Sequence, residues 1–401
     1  MKIKVLWICH FSNKKINSYL SNKNYKELSP WIINLIDIFS EKDDIELHVL
    51  APNLLENKRK QFKKWGITFH FYKTAFILPK FIYNKLRINY HSNFSLIKNE
   101  ITKHVKKIDP KLIHFHGAEN PVYSSSFFQL YNQFPIFLTI QGFINQDEIA
   151  NNYIVNQRKQ IEKSILIKNT HFGVRTKEMC DYIKKFNNNA EFHWHNYPIT
   201  LPKFTINTEV EKSYDCVFFG RVVPENGIED LLHAISIIKI DNNNISLVVV
   251  GPIPDLFLNQ LLELVKKLNI ENNVTFTGYL STQNEAFEIV AKAKIDVLPT
   301  HYDIIPGTIL ECMYIGVPVI SNSVGGIPDL NDNNECIVLS KKGDIPGLAS
   351  LITDLLNNDE KRKKLISNSK AEVKKFYDKN EIYKDILTIY HNVLEDEKND
   401  K

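Results

Sequence analysis

The sequence predicts an α/β protein built from two domains, each with a parallel β-sheet. Apolar, strand-like runs alternate with helical patterns along the chain, which is the order that produces parallel sheets. A polar stretch near residues 200–212 interrupts this pattern, and the pattern then starts again. The length of 401 residues also favours two domains, because single cores typically serve about 100 to 200 residues.

In the first half, six apolar runs are predicted to form strands, because they are rich in β-branched and aromatic residues. They are KIKVLWICHF, IELHVLAP, ITFHFYK, LIHFHG, IFLTIQGF and THFGVRT. Between the first two, Trp31, Leu35 and Ile38 recur at helical spacing after a Ser-Pro start, so a helix is expected there. The first strand is not followed by a glycine-rich turn, which argues against an NAD enzyme.

The second half repeats the arrangement with six further runs that are predicted to be strands. They are CVFFGRV, ISLVVVGP, NVTFTGYL, KIDVLPT, VPVISN and CIVLS. We therefore expect a first domain over 1–205, a second over 206–378, and a C-terminal helix over 379–401 that packs back on the first domain. Two such domains are expected to face each other across a cleft, with ligands at the carboxyl ends of the strands.

The composition indicates a soluble globular protein, with 43% hydrophobic and 24% charged residues. No apolar run approaches the roughly eighteen residues of a membrane span, and the apolar part of the N-terminus is too short for a signal peptide. The five cysteines are scattered without metal-ligand spacing, which is typical of free thiols in a reducing cytoplasm. We therefore expect a cytoplasmic protein.

Residues 58–107 form a strongly basic region, with thirteen Lys or Arg residues and a single acidic residue, Glu100. Aromatic and aliphatic residues lie between the basic ones. This composition suits an anionic membrane surface, so peripheral attachment to the inner face of the membrane is one expectation. A solvated basic face in a lysine-rich protein is an equal alternative. Nucleic acid is not expected as a partner, because no recognition motif accompanies the charge.

The segment after KIDVLPT has the composition of a phosphate-binding turn. Asp303 follows the predicted strand, and Pro306, Gly307 and Thr308 open a helix. The unpaired N–H groups of a helix start attract phosphate, and a glycine lets a ligand approach the backbone. Glu311, one turn later, can accept hydrogen bonds from two adjacent ribose hydroxyls. Taken alone, each carboxylate is also typical of a helix start without a ligand.

A second candidate lies in FFGRVVPENG, where a predicted strand ends at Gly220. Arg221 follows with a planar, five-donor guanidinium that suits phosphate oxygens, and Gly227 precedes a helix. An exposed arginine without a ligand is the simpler interpretation of this motif alone. Two phosphate-directed features in one domain together favour a diphosphate.

Several stretches occur together in a specific order. They are FGRVVPENGIEDLLHAI, NVTFTGYL, the D-x7-E spacing of Asp303 and Glu311, and GVPVISNSVGGIPDL. In order and spacing, over roughly residues 215–345, they resemble glycosyltransferase family 4, and LIHFHGAENP extends the resemblance more loosely into the first half. The resemblance implies the GT-B fold of two Rossmann-like domains. It also implies a retaining, metal-independent transfer of a hexose-like sugar from a nucleotide-diphosphate sugar.

The resemblance assigns the donor-binding residues to the second domain. Arg221, beside Gly220, would bind the diphosphate of the donor. Gly307 and Thr308 would supply backbone N–H donors to the same group. Glu311 would hold the ribose of the nucleotide.

The resemblance also implies three further roles. Asp303 would contact hydroxyls of the donor sugar, the backbone at Gly278 would line the base pocket, and His116 would face the reacting sugar from the first domain. Arg221, Asp303 and His116 are thus the catalytic candidates. Along LIHFHG, His114 and His116 are predicted to point to opposite faces of their strand.

The chain departs from the family pattern at three positions. Asp303 stands where the family usually has Glu, and Gln141 stands where it usually has His before Gly142. Asn226 stands where the family usually has a Lys that shares the diphosphate charge. Asn226 is kept among the donor-binding candidates, although Arg221 then lacks its expected cationic partner.

The expected partners are a nucleotide sugar as the donor substrate and a glycan or polyprenyl-linked acceptor, in cell-surface polysaccharide synthesis. No cofactor and no metal are expected, since no acidic cluster has metal-ligand spacing. Two alternatives remain open. One is a nucleotide-sugar epimerase of the same architecture. The other is a catalytically weak nucleotide-sugar-binding protein, which the departures at Asn226 and Gln141 motivate.

Overall fold

The computed structural model describes residues 2–20, 30–144, 152–203 and 211–399. The chain divides into two compact units, of which the first comprises Met1–Pro198 and Lys379–Lys401 and the second comprises Ile199–Asp378. The predicted linker over 200–212 includes residues 204–210, which lie outside the described residues.

The first unit has an eight-stranded sheet within its described residues. Its strands are β1 (Ile3–Ile8), β2 (Ile45–Pro52), β3 (Lys60–Lys64), β4 (Ile67–Tyr72), β5 (Leu112–His116), β6 (Ile136–Thr139), β7 (His171–Val174) and β8 (Glu191–Trp194). The order across the sheet is β3-β4-β2-β1-β5-β6-β7-β8. β3 pairs antiparallel with β4, and the other neighbours are parallel.

Nine helices of this unit precede the second unit in the described part of the chain. They are α1 (Lys14–Leu20), α2 (Pro30–Phe39), α3 (Lys80–Lys85), α4 (Ile88–His91), α5 (Ser95–Ile108), α6 (Pro121–Ser124), α7 (Phe127–Leu130), α8 (Tyr153–Lys168) and α9 (Lys177–Lys184). β1 lies between β2 and β5 in the sheet. The chain thus adds β2 on one side of β1 and later adds β5 on the other, so the order of the strands reverses at this point. Such a switch point opens a crevice at the carboxyl ends of the two strands.

The second unit has a six-stranded sheet within its described residues, and all neighbouring strands are parallel. Its strands are β9 (Tyr214–Phe219), β10 (Leu247–Val250), β11 (Val274–Gly278), β12 (Ala293–Leu298), β13 (Val319–Asn322) and β14 (Val338–Ser340). The order β11-β10-β9-β12-β13-β14 is that of a Rossmann fold, with its switch point between β9 and β12.

Four helices connect successive strands of this sheet, as is usual between parallel strands. They are α10 (Ile228–Ile238), α11 (Asp255–Lys267), α12 (Gln283–Val290) and α13 (Gly307–Ile315). Two further helices, α14 (Ile345–Asn357) and α15 (Asp359–Lys374), follow β14. The prediction of two parallel-sheet α/β domains is therefore confirmed.

The C-terminal helix α16 (Lys379–Asn399) belongs to the first unit. Its apolar residues Ile382, Ile386, Tyr390 and Val393 are buried in the core around Trp7. They recur every three or four positions, which places them on one helix face. The indole Nε1 of Trp7 donates a hydrogen bond of 2.8 Å to the Tyr390 hydroxyl.

All five cysteines are buried, and none of them forms a disulfide bond. Among the residues described here, no helix is both long enough and apolar enough to cross a bilayer.

Candidate functional site

The switch point of the second unit brings together three residues predicted to bind the donor. Gly220 follows β9, and a Cβ atom placed on it would lie 3.7 Å from Oγ1 of Thr308 and 4.0 Å from Nδ2 of Asn226. These residues come from separate loops after β9 and β12. Gly220 has a φ of 155°, a backbone conformation that side chains disfavour.

Arg221 is exposed beside this point. Its carbonyl accepts a 2.8 Å hydrogen bond from the side-chain amide of Asn226. Asn226 therefore holds the backbone of Arg221, whereas a lysine at this position would add a second cation. The positive charge of the loop thus comes from the guanidinium of Arg221.

Hydrogen bonds join the turn that carries Asn226 to the loop after β12. The amide of His301 donates to the carbonyl of Glu225 at 2.8 Å, and Nε2 of His301 lies 3.0 Å from Oδ2 of Asp230. Gly227 has a φ of 76°, and a Cβ atom there would lie 2.0 Å from the carbonyl oxygen of Pro299. The turn around Gly227 and the loop after β12 are therefore closely packed, and only glycine fits at position 227.

Helix α13 follows the loop after β12 and has an open N-terminus. Pro306 occupies the N-cap position, and no side chain caps the first turn. Gly307 is exposed. Apart from its chain neighbours and the backbone of its own helix, no heavy atom of the described residues lies within 4 Å of where its Cβ would be. The N–H groups of a helix start carry a partial positive charge. The backbone at Gly307 and Thr308 is therefore accessible to an anion, next to Gly220.

Asp303 lies on the same loop and is half-buried. Its carbonyl oxygen lies 1.7 Å from the position that a Cβ atom on Gly325 would take, and Gly325 has a φ of 56°. The glycine turn after β13 therefore packs directly on the Asp303 backbone. The side-chain amide of Asn322 further holds this loop through the carbonyls of Pro299 and Thr300, at 2.8 and 3.0 Å.

Glu311 lies on α13 and is only 8% exposed. Burial raises the pKa of its carboxyl from 4.5 to about 8, against a lowering by the Gln283 side chain. The Gln283 amide donates a 2.8 Å hydrogen bond to Oε1 of Glu311. Gln283 was missed in the sequence because no motif singles it out. Gln283 is the first residue of α12, and this helix follows β11, which ends at Gly278. Gln283 therefore links the predicted ribose position at Glu311 with the predicted base position at Gly278.

His116 lies at the other switch point, at the end of β5. It is 3% exposed, and burial lowers its pKa well below the ordinary value of 6.5. The Gln141 amide donates to the Tyr197 hydroxyl, which lies 3.1 Å from Nδ1 of His116. Nδ1 of His116 and the Tyr197 hydroxyl thus form one hydrogen bond, whose donor depends on the tautomer of the ring. Nε2 is buried without a hydrogen-bond partner in the described part of the chain.

The prediction that His114 and His116 point to opposite faces is wrong. Residues two positions apart in a strand share a face, and the two ring centroids lie 3.8 Å apart. His114 is fully buried between two hydroxyls, with Nδ1 2.8 Å from Tyr390 and Nε2 2.7 Å from Thr139. Because both ring nitrogens of His114 are hydrogen-bonded, this residue supports the structure at the end of β5.

The turn after β5 contains a buried carboxyl that the sequence did not single out. Burial raises the pKa of Glu119. The Tyr123 hydroxyl lies 2.7 Å from Oε1 of Glu119 and 2.9 Å from the carbonyl oxygen of His116. A Cβ atom on Gly117 would lie 2.2 Å from Oε2 of Glu119, so glycine is required for this turn. The carboxyl thus fixes the backbone that follows His116.

Comparison with known proteins agrees with this geometry. Residues 202–372 match the family model described as glycosyl transferases group 1. The chain is similar to a 2-deoxystreptamine N-acetyl-D-glucosaminyltransferase of Niallia circulans, with 23% identity over 71% of this chain and 77% of that protein. An N-acetyl-alpha-D-glucosaminyl L-malate synthase of Bacillus anthracis is 30% identical over 43% of this chain and 44% of that protein. The family match covers less than half of the chain, and both relatives are transferases or synthases by name.

Solved structures of similar fold cover nearly the whole chain. Sucrose-phosphate synthase from Thermosynechococcus elongatus has a TM-score of 0.72 at 16% identity, over 98% of this chain and 99% of that one. Anabaena Alr3699/HepE in complex with UDP has a TM-score of 0.68 at 16% identity, over 98% of this chain and 100% of that one. The fold class is therefore that of the GT-B glycosyltransferases.

Proposed function

We propose that this protein is a retaining glycosyltransferase, which moves a sugar from a nucleotide-diphosphate sugar to a glycan or a lipid-linked acceptor. The observation that carries the proposal is the convergence of Gly220, Arg221, Thr308 and the open start of α13 at the switch point between β9 and β12. Ligands of Rossmann-type sheets bind at this point, and phosphate groups favour helix starts.

In this proposal, the diphosphate lies between two hydroxylated rings. Arg221 and the N–H groups at Gly307 and Thr308 bind its oxygens. Glu311 accepts hydrogen bonds from the ribose, and Asp303 accepts them from the donor sugar. Since the structurally similar Anabaena protein was crystallised with UDP, UDP-sugars are the first donors to test.

The reaction breaks the bond between the anomeric carbon of the sugar and the diphosphate oxygen. Negative charge then grows on the departing diphosphate, where Arg221 and the helix-start N–H groups stabilise it. The acceptor oxygen forms the new bond on the same face of the sugar, and its proton passes to the departing phosphate. Removing one donor that stabilises such a charge typically costs about 10²- to 10³-fold in kcat.

A donor screen by thermal unfolding tests the binding part of the proposal. A nucleotide sugar at 100 times its Kd stabilises a protein by about 2.7 kcal/mol, so the wild-type midpoint should rise. The rise should shrink in Arg221→Ala and in Glu311→Ala. Lys267→Ala is the control, because this exposed lysine is the last residue of α11. It precedes the amino end of β11, whereas the proposed site lies at the carboxyl ends of the strands. An equal rise in all four proteins would contradict the proposed site.

Product analysis separates transfer from the alternatives. The wild-type protein is incubated with the donor alone and with a pool of glycan and lipid-linked acceptors. Transfer requires the acceptor, whereas an epimerase converts the donor without one. Binding without turnover in either mixture would favour the binding protein. The relatives and the family model, transferases or synthases by name, favour neither alternative.

The same proposal places the acceptor at an anionic membrane surface. Within the basic region 58–107, Ile77 and Phe81 are 75% and 72% exposed, and the exposed cations Lys85 and Arg87 follow them in α3 and just after it. The single acidic residue of the region, Glu100, is buried and paired with Arg59. Exposed apolar side chains beside cations suit insertion between anionic headgroups.

Liposome co-sedimentation tests this surface. We expect the wild-type protein to bind vesicles that contain anionic lipid, and Phe81→Ser combined with Lys85→Ala to bind them more weakly. Ile240→Ser is the matched control, because Ile240 is 82% exposed in the second unit. Binding that does not depend on the anionic lipid, or that the control weakens equally, would contradict the proposed surface.

A further inference from the structure

A group of three metal-ligand side chains lies in the first unit, away from the candidate active site. The group comprises His171, Glu191 and His193, whose nearest ligand atoms all lie within 4.8 Å of one another. His171 and Glu191 are the first residues of β7 and β8. The group therefore lies at the amino ends of these strands, whereas His116 and the site of the second unit lie at carboxyl ends.

The strand register brings the three side chains together. β7 and β8 are parallel, and His171 pairs with Glu191. His193 is two residues after Glu191, so both point to the same face of the sheet. His171 is buried, His193 is half-buried and Glu191 is exposed. The ligand group therefore opens to solvent on the side of the carboxylate, which gives an ion a path of entry.

Two of the three distances in the group match the spacing that a zinc ion imposes on its ligands. Nδ1 of His171 lies 3.2 Å from Nε2 of His193 and 3.3 Å from Oε2 of Glu191. Ligand atoms bound tetrahedrally to zinc at about 2.0 to 2.1 Å lie about 3.3 Å from each other. Both contacts thus have the length of a tetrahedron edge.

Both contacts of the group meet at one nitrogen, Nδ1 of His171, which faces a carboxylate and a second imidazole nitrogen at once. An imidazole nitrogen carries either one hydrogen or one lone pair. With hydrogen bonds alone, the two contacts have to share that single hydrogen or lone pair. A cation would accept a lone pair from each of the three ligand atoms.

We propose that His171, Glu191 and His193 form a zinc-binding site that clamps the edge strand β8 to β7. Two imidazole nitrogens and one carboxylate suit zinc better than magnesium or calcium, which prefer oxygen ligands. A water molecule would complete the four ligands of a tetrahedral zinc ion. This site is independent of the proposed transferase reaction.

Equilibrium dialysis of the full chain against zinc tests the proposal, with metal content measured after removal of free metal. We expect one zinc ion per wild-type chain and a weakening of at least about tenfold in Glu191→Gln and in His193→Gln, given that even outer-shell changes cost 10- to 100-fold. Glu191 is exposed, so its substitution leaves the fold intact. A Co²⁺-loaded wild type should show the intense visible absorption of tetrahedral cobalt.

The chain offers a matched control at another histidine pair. His48 contacts His70 through Nδ1 at 2.9 Å and Glu46 through Nε2 at 3.0 Å. Because these contacts leave opposite sides of the ring, the three residues cannot share one ion. His48→Gln should therefore bind zinc like the wild type. The proposal is overturned if the wild type binds no zinc ion, or if Glu191→Gln and His193→Gln bind zinc as tightly as His48→Gln.

Discussion

The buried carboxyl of Glu311 makes a prediction in which stability and ligand binding change in opposite directions. In the folded protein, burial raises its pKa from 4.5 to about 8. Between these two pH values the folded state therefore binds a proton that the unfolded state has lost. Stability is then highest below pH 4.5 and falls as the pH rises towards 8.

The size of the effect follows from the width of this window. Each pH unit inside it costs the folded state about 1.4 kcal/mol. Between pH 5 and pH 7 the wild-type protein should therefore lose about 2.5 kcal/mol through this one group. Glu311→Gln has no titrating group here and keeps an oxygen for the Gln283 hydrogen bond, so it should be spared this loss.

Urea unfolding at pH 5, 6 and 7 measures the effect. The free energy of unfolding of Glu311→Gln minus that of the wild type should grow by about 2 to 3 kcal/mol over this range. Glu263→Gln, at an exposed position of α11, should differ from the wild type by a constant amount. A difference for Glu311→Gln that is independent of pH would refute the reasoning, because the carboxyl would then titrate normally in the fold.

Above pH 8, where the Glu311 carboxyl is ionised, the same variant should bind the donor more weakly, because an amide presents one acceptor oxygen where a carboxylate presents two. A gain in stability together with a loss of binding would distinguish a ligand-binding group from a core residue.

Further expected outcomes concern the loops and the core. A left-handed backbone costs alanine about 1 to 2 kcal/mol. Gly227→Ala should destabilise the protein by more than this, because its Cβ would also meet a backbone oxygen at 2.0 Å. Gly278→Ala, which has open space around it, should cost only the energy of the left-handed backbone, and thermal unfolding compares the two variants. Asn226→Lys should tighten binding of a nucleoside diphosphate by about 1 kcal/mol, a factor of about five in Kd, in calorimetry; unchanged or weaker binding would mean that no diphosphate reaches this loop. Tyr390→Phe should lower the free energy of unfolding by about 1 to 3 kcal/mol, because the buried indole N–H of Trp7 loses its acceptor, and urea unfolding that matches the wild type would contradict this.

The inner strands of both sheets were predicted correctly, and so were β11 and β14 at the edges of the second sheet. Strands such as β9, β10 and β12 are covered on both faces, so they are nearly continuous apolar runs, which periodicity detects. The edge strands β3 and β8 of the first sheet were missed, because their sequences, KQFKK and EFHW, mix exposed and half-buried positions. An edge strand can form with so little apolar character that composition does not reveal it.

The two sites differ in how far the sequence revealed them. Arg221, Gly307, Thr308 and Glu311 could be predicted as site residues because each stands in a motif at a strand end or a helix start. Gln283 was not found, since its contact with Glu311 joins residues that are 28 positions apart. The zinc-ligand group was not found either, because its members are spread over two strands whose pairing no local spacing shows.

The sequence by itself determined the fold class and the residue types at the carboxyl ends of the inner strands, because hydrophobic periodicity, glycines and helix starts are local properties of the chain. The tertiary structure alone decided which strands are neighbours, and so which loops meet. Strand order depends on long-range pairing, and it is this order that places Gly220 beside Thr308 and His171 beside Glu191. It also decided that Glu311 is buried, since exclusion of water from a side chain depends on what packs around it.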